Sequence, residues 1–525
     1  MTAATRLHFG PFERLVLAIA FVTQAAFFPW FPELRSPNEL TRVYLAESLV
    51  EDASVSIDGA IARHGAIFDL SVRDVDGHRR HYSDKAPGLA FLATPVIALY
   101  HATSTPDLDT QVRLTRFVTA TLPTLILLVL LLRFLRAELT DRRLPAILVL
   151  GYALGTVATP YSGLAFGHQL SACLLFSLFL AIRADKPRAP LVGLLASAAV
   201  LVEYQNALLL LPFAIWFLAR VRLSPHHLAL AALGMAPLTA LLLVYHHAAF
   251  GSPFLTGYSF IASSFAEVHA QGLLGVTLPK LSAAELSFVS PAKGLFFFSP
   301  WLALALPGLF LLNTRGPHRF TLVFVIVYAL FVSSLVYPDG GWTVSQRHLA
   351  PMVPFLILPI GLLIDRRPSP FAPALLVGLL IPSIAACTIS AIVWPHWQDH
   401  LQNPFWQLGW PLFTDGWVPA SALAFISSWW LLVTLLGLAS LCLLAYLLEP
   451  LILRHRYVAL LTTAALTTAI AATYIALARL PGRTQDVERD RQFIERTYVP
   501  DPRSTALTPP QTATFLSTPP PTSAQ

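Results

Sequence analysis

Apolar residues along this chain come in long blocks rather than in alternation with polar ones. Blocks at about 15–31, 113–132, 144–160, 163–182, 190–204, 205–219, 226–249, 295–312, 320–337, 350–364, 371–393, 421–448 and 457–478 lie near the ~20 residues that carry a helix across a bilayer. The pattern predicts an all-α polytopic membrane protein with about thirteen transmembrane helices. The first block follows Arg6 and Arg14 and ends on Phe27, Phe28, Trp30 and Phe31, with no small-residue cleavage site. It reads as an uncleaved span with an aromatic belt at its far end.

The polar segments between blocks fix an orientation. With the N-terminus in the cytoplasm, the short inside segments carry Arg6, Arg14, Arg133, Arg136, Arg142, Arg143, Arg183, Lys186, Arg188, Arg220, Arg222, Arg315, Arg319, Arg366, Arg367, Arg454 and Arg456. The short outside loops carry Lys280, Lys293 and Arg347. Seventeen cations against three follow the positive-inside rule. The same rule makes 88–101 an interfacial helix, because one more span would turn every basic loop outward. The outside then holds a first loop of about eighty residues (33–112), loops at 250–294, 338–349 and 394–420, and the tail from Pro481. The last part of that tail, rich in Pro, Thr and Ser, reads as disordered. Residues 1–480 form the membrane domain and 481–525 a polar outer tail.

The first outer loop has legible structure. In Pro37–Asp52, Leu40, Val43, Ala46, Leu49 and Val50 make a stripe at helical spacing, interrupted by Arg42 and Glu47. This predicts an amphipathic helix lying on the membrane, capped by Asn38, with Glu39 in its first turn. Segments 66–75 and 78–83 flank Asp76-Gly77, a two-residue hairpin signal. The loop returns to the membrane through Tyr82-Ser83-Asp84-Lys85-Ala86-Pro87-Gly88. Two acidic residues, Glu39 and Asp84, and one lysine are thereby brought to the outer face.

Composition agrees with the blocks and narrows the classes. Of 525 residues, 55% are hydrophobic and 12% charged, where soluble domains are about a quarter charged. Mean hydropathy is +0.63. A soluble enzyme, a nucleic-acid-binding protein and a disulfide scaffold are excluded as whole-chain readings. Cys173, Cys387 and Cys442 sit far apart in apolar segments and propose neither a disulfide framework nor a zinc site. The formal charge of +6 is useful only through where its cations lie. Eight of the eleven tryptophans (Trp30, Trp301, Trp342, Trp394, Trp397, Trp406, Trp410, Trp417) fall near the outer face. They form either an aromatic belt or the wall of a lipid-accessible groove.

An acidic residue after the first span, a helix on the outer surface and an acidic-Lys-x-Pro return together resemble the GT-C superfamily of polyprenyl-phosphate-dependent glycosyltransferases. The likeness is to the bacterial branch of the protein mannosyltransferase and lipid A aminoarabinose transferase families. There an Asp-Glu pair opens the first outer loop and a Glu-Lys-Pro-type motif closes it. Here the pair reads Asn38-Glu39 and the closing motif Asp84-Lys85-Ala86-Pro87. The resemblance covers the first 120 residues by motif and the rest by layout. It departs where the family's leading aspartate is matched by Asn38, which is no base.

The resemblance implies sugar transfer from a polyprenyl-phosphate donor to a glycan, lipid or protein of a bacterial cell envelope. It places the protein in the inner membrane with its active site on the outer face. Such transfer needs a base for the acceptor hydroxyl and cations for the departing phosphate. Glu39 and Asp84 are the candidate catalytic carboxylates, and Lys85 and Arg347 the candidate phosphate ligands. Arg347 lies in Gly340-Gly341-Trp342-Thr343-Val344-Ser345-Gln346-Arg347-His348. Tyr82, His168, Glu203 and His348 are candidate substrate contacts, with Asp339 a weaker one. A divalent metal is a candidate cofactor on the family's pattern, and Glu39 with Asp84 is the pair proposed to hold it. Each residue also has a structural alternative: a surface ion pair for Asp84 and Lys85, a helix-end charge for Glu39, snorkelling for Arg347.

Two other classes compete. A transporter or flippase would carry ionisable or helix-breaking positions near the midplane, commonly in matched halves. Here mid-span charges are nearly absent and no internal repeat is visible. A catalytically inactive GT-C-like scaffold is the third reading, kept alive by Asn38.

Overall fold

The computed structural model describes residues 8–30, 34–263, 265–313, 316–366, 371–415, 418, 421–423, 435–446, 457–479 and 487–498. Trp417, residues 424–434 and 447–448 of the 421–448 block, the end of the outer tail, and Arg6, Arg315, Arg367, Arg454 and Arg456 of the basic count lie outside the described residues.

The chain is mostly helical, with one two-stranded sheet among the described residues. Among the described residues, six helices are long and apolar enough to cross a membrane: Leu108–Glu138, Pro225–Phe250, Gly316–Ser333, Arg347–Asp365, Phe371–Val393 and Leu460–Ala478. Further apolar helices of 10–17 residues include Leu144–Leu154, His168–Arg183, Ala189–Val202 and Asn206–Arg220. The block at 371–393 is reproduced to the residue. The block at 295–312 is not one helix. It breaks at Ser299-Pro300 into Leu295–Phe298, a 3-10 turn Pro300–Leu304 and Ala305–Leu309, since Pro300 has no N–H to give the preceding turn. Likewise 144–160 divides into Leu144–Leu154 and a short turn Ala158–Tyr161, and 163–182 becomes helical only at His168.

The residues group into two compact units. One comprises Met1–Trp30, Pro123–Gly163 and Leu278–Val487; the other comprises Phe31–Leu122, Leu164–Thr277 and Glu488–Gln525. Within the first, the Trp301 indole N–H donates to Gly155 O at 2.7 Å, and Gln24 Nε2 donates to Ala153 O at 2.9 Å. These bonds satisfy carbonyls at a helix end and inside an apolar core, where water is excluded.

The second unit holds the first outer loop. Strands β1 (Ser71–Val75) and β2 (His78–Tyr82) pair antiparallel in the register Ser71 opposite Tyr82. Their turn is Asp76-Gly77, with φ of 53° and 77°, the left-handed pair a type I′ hairpin demands. Helix Gly88–Thr103 follows the return. Leu40, Val43, Tyr44, Leu45, Ala46, Ala90, Ala93, Ile97, Tyr245 and Phe250 share one buried cluster. Leu211, Ile215, Leu233 and Val244 are exposed on Asn206–Arg220 and Pro225–Phe250, as lipid-facing positions would be.

Two expectations for Pro37–Asp52 are corrected. The helix is Pro37–Glu51, but it is not a surface amphipathic helix: every residue from Asn38 to Ser48 is buried, polar and apolar alike. The stripe is imperfect because Arg42, Glu39 and Glu47 point into protein and find partners there. The cap is Ser36, not Asn38. Pro37 fills the first helical position, where a missing N–H costs nothing, and the Glu39 N–H donates to Ser36 Oγ at 3.4 Å.

Candidate functional site

Asp84 and Lys85 sit on the return segment after β2. Ser83 holds that segment in place: its hydroxyl accepts from Thr41 Oγ1 at 3.1 Å and from the Lys85 N–H at 3.3 Å. Gly257 closes over it so tightly that a Cβ there would lie 2.8 Å from Asp84 Cα. Ser71 Oγ, donating to Gly257 O at 2.7 Å, fixes this approach.

The Lys85 ammonium lies between two carboxylates, 2.6 Å from Asp84 Oδ2 and 3.2 Å from Asp69 Oδ2. Asp84 is 3% exposed, and its Oδ1 is buried with no hydrogen-bond partner among the described residues. Burial pushes the Asp84 carboxyl above its ordinary range, against the pull of Lys85, while Asp69 adds to the rise. Burial alone would lower Lys85, but the two carboxylates outweigh it and hold the ammonium charged. This is no solvent-exposed pair. Beside it, Tyr258 stacks face to face on His269 at 4.1 Å. Burial pushes the Tyr258 phenol up to about 12, with Lys85 opposing. Burial and then the Lys85 charge draw His269 down, while a hydrogen bond with Leu274 O opposes them.

Glu39 is differently placed. Arg116 donates through Nε to Oε1 and through Nη2 to Oε2, each at 2.7 Å, and the Ala165 N–H donates to Oε1 at 3.0 Å. Glu39 is fully buried. Asn38 spends its side-chain oxygen on Arg42, whose Nη2 reaches Glu203 Oε1 at 2.9 Å and whose Nη1 reaches Asn38 O at 2.6 Å. Glu203 lies in the extended break after Ala189–Val202. Gly167, at φ 82°, makes room for it: a Cβ there would fall 2.2 Å from Glu203 Oε1. His168 is buried at the start of the next helix. Tyr82 packs edge-on against Phe250 in the apolar cluster. Glu39, Asp84, Lys85, Tyr82, His168 and Glu203 all belong to one unit.

A divalent metal does not fit the pair Glu39 and Asp84. Both oxygens of Glu39 are taken by Arg116, so a metal bridging the two would have to displace that buried guanidinium and sit beside the Lys85 ammonium on Asp84 Oδ2. Among the described residues no group of three or more His, Cys, Asp or Glu could hold a metal ion.

Arg347 and His348 lie in the other unit. Gly340 and Gly341 have φ of 71° and 78°, bending the loop ahead of the 3-10 turn Arg347–Met352. Lys293 pins that loop. Its Nζ donates to Gly341 O at 2.8 Å and Thr343 O at 3.0 Å, and its carbonyl accepts from the Gln346 N–H at 2.8 Å. Asp399 lies 3.3 Å from Lys293 Nζ. Burial pulls the Lys293 ammonium down, opposed by Asp399. The half-buried Asp339 carboxyl is pushed up by burial and by the Asp399 charge.

Sequence reasoning missed Asp69, Arg42, Arg116 and Lys293 as site residues. For Asp69 the signal existed: the hairpin register that sets Ser71 opposite Tyr82, carried two steps further, sets Asp69 opposite Asp84. Arg116 and Lys293 carried no such signal.

No family model matches the chain, and no curated protein matches it. Its structure is similar to the crystal structure of ArnT from Cupriavidus metallidurans in the apo state, at 15% sequence identity and a TM-score of 0.46, over 93% of this chain and 76% of that one.

Proposed function

We propose that this protein is an integral-membrane glycosyltransferase of GT-C type, which moves a sugar from a polyprenyl-phosphate donor to a cell-envelope glycan, lipid or protein. The observation that carries the reading is the buried Asp84–Lys85 pair with one unsatisfied carboxylate oxygen, on the return of the first outer loop. Asp84 is the base. Its Oδ1 takes the acceptor's hydroxyl proton as that oxygen bonds to the anomeric carbon and the bond from that carbon to the phosphate oxygen breaks. The electron pair leaves with the phosphate, and Lys85 neutralises it. An ammonium has three N–H donors; Asp84 and Asp69 engage two, which leaves one for a phosphate oxygen.

Glu39 then acts as a positioning residue through Arg116. Glu203 and His168 line the same unit as substrate contacts. Arg347 serves as an anion-binding residue of the other unit, with His348 beside it. The reading carries about thirteen spans, a cytoplasmic N-terminus, a catalytic membrane domain over 1–480 with an outer tail from 481, and residence in a bacterial inner membrane.

The test is transfer of radiolabelled sugar from polyprenyl-phosphate donors to envelope membranes by purified protein. Asp84→Asn should lower transfer by roughly 10²–10⁴-fold, the usual worth of a general base, with insertion unchanged. Lys85→Ala should weaken donor use as well. Transfer by Asp84→Asn at the wild-type rate overturns Asp84 as the base, and no transfer by wild type overturns the glycosyltransferase reading.

A further inference from the structure

Two carboxylates facing each other across a hairpin register repel unless a cation lies between them. Asp69 and Asp84 each lie two residues beyond the last ladder partners, Ser71 and Tyr82, and both meet the Lys85 ammonium, which supplies the cation. All three side chains are largely enclosed: 12% exposed for Asp69, 4% for Asp84 and 15% for Lys85. The cluster therefore holds one positive charge against two negative ones. Asp84 is the closer partner, yet it uses only Oδ2 and leaves Oδ1 buried without a hydrogen bond among the described residues.

We propose that Asp69 is a positioning residue: it divides the Lys85 ammonium with Asp84, so that Asp84 keeps one oxygen for the acceptor hydroxyl and Lys85 keeps one N–H for the donor phosphate. This rests on the glycosyltransferase reading above and names a residue that the first-loop motifs do not contain. Without the Asp69 charge, Asp84 would hold the ammonium alone. The carboxylate would be a weaker base, and the ammonium would be more fully engaged by the base than by the donor.

The surroundings support a charge effect rather than a purely steric one. Asp84 is faced by Lys85 on its own segment, by Asp69 ahead of β1 and by Arg42 on helix Pro37–Glu51. Tyr204, Tyr245 and Tyr258 lie within its electrostatic reach, and His269 faces Lys85. Of these, Lys85 and Arg42 favour the ionised carboxylate, and Asp69 opposes them. Burial does most to keep Asp84 basic, and among the charged groups that face it Asp69 is the one that adds to this effect.

The experiment is a pH–rate profile of sugar transfer for wild type, Asp69→Asn, Asp69→Glu and Asp84→Asn, each as the full-length protein in liposomes. Asp69→Asn keeps the hydrogen-bonding shape and removes the charge. Its acidic limb should move about one pH unit toward acid, with a several-fold lower plateau rate. Asp69→Glu should keep the wild-type limb. Asp69→Ser gives the same reading as the amide should the amide not be accommodated. If Asp69→Asn and Asp69→Ser both titrate like wild type while Asp84→Asn is inactive, the role of Asp69 is refuted and the base assignment survives. If Asp84→Asn is itself active, the base assignment fails and the role of Asp69 with it; if wild type transfers no sugar, the failure lies in the glycosyltransferase reading.

Discussion

Arg116 grips both oxygens of Glu39 through two parallel N–H bonds of 2.7 Å, and neither side chain sees solvent. A fork of this kind satisfies both charges and fixes their geometry, so it stabilises strongly only while both partners are present. Removing one leaves the other buried and unpaired, which costs about 3–5 kcal/mol. Glu39→Gln should therefore lose about that much stability, read by thermal unfolding in detergent. Asp84→Asn should lose less, because Lys85 still has Asp69. A Glu39→Gln protein that melts like wild type yet transfers no sugar would return Glu39 to the role of base.

Glu47 anchors the other end of the same helix. Arg63 Nε lies 2.6 Å from its Oε1, and His64 Nε2 lies 2.8 Å from its Oε2. Burial pushes the Glu47 carboxyl up, but these two partners more than offset it and hold the group below its ordinary 4.5. A carboxylate depressed by folding contributes stability that is complete above its unfolded value and is lost as pH falls through its folded one. Hydrogen-exchange protection over 37–64 should stay level from pH 7 to about 5 and decline as pH drops below about 4.5. Glu47→Gln should reduce protection by about 2 kcal/mol at pH 7 and flatten that decline. An unchanged acid profile in Glu47→Gln would assign the acid sensitivity to another group.

How much of this was legible in the sequence depends on the range of the interaction. Asp76-Gly77 dictates its own turn, so the hairpin was readable from two residues. The stripe in Pro37–Glu51 specified a helix, but not what would cover it. Its polar positions are satisfied by Arg116 and Glu203, 77 and 161 residues away from Glu39 and Arg42. Local pattern carries no record of such partners. Ser36-Pro37-Asn38-Glu39 does contain a capping-box signature, and it marks Ser36 rather than Asn38 as the cap. Similarly, Pro300 marks the break in 295–312, but the apolar run around it outweighs a single residue in any hydropathy reading.

Gly167 is required on two counts. Its φ of 82° is one that L side chains rarely adopt, and a Cβ would collide with Glu203 Oε1 at 2.2 Å. Gly167→Ala should destabilise the protein by about 1–3 kcal/mol and push Glu203 away from Arg42. Unfolding in detergent measures the first effect. A Gly167→Ala protein as stable as wild type would show that Glu203 can move without penalty.

Asn38 is the position where this chain departs from the Asp-Glu pair it otherwise resembles, and the geometry around it makes a quantitative prediction. Arg42 can donate to the neutral Asn38 oxygen because Glu203 supplies the counter-charge. Asn38→Asp would place a second carboxylate on the same guanidinium. It should be nearly neutral for stability, since one new charge-assisted bond is offset by repulsion from Glu203. Glu203→Gln alone strands the Arg42 charge and should cost about 3 kcal/mol or more. In the double variant, the carboxylate introduced by Asn38→Asp would replace the lost counter-charge, so the two changes should cost less together than Glu203→Gln does alone. Residues sharing one buried partner couple by about 0.5–3 kcal/mol, and the coupling here should favour the double variant. A thermal-unfolding double-mutant cycle reads it directly. Additive losses would mean that Glu203 does not stand in for the missing aspartate charge, and that Arg42 is neutralised elsewhere.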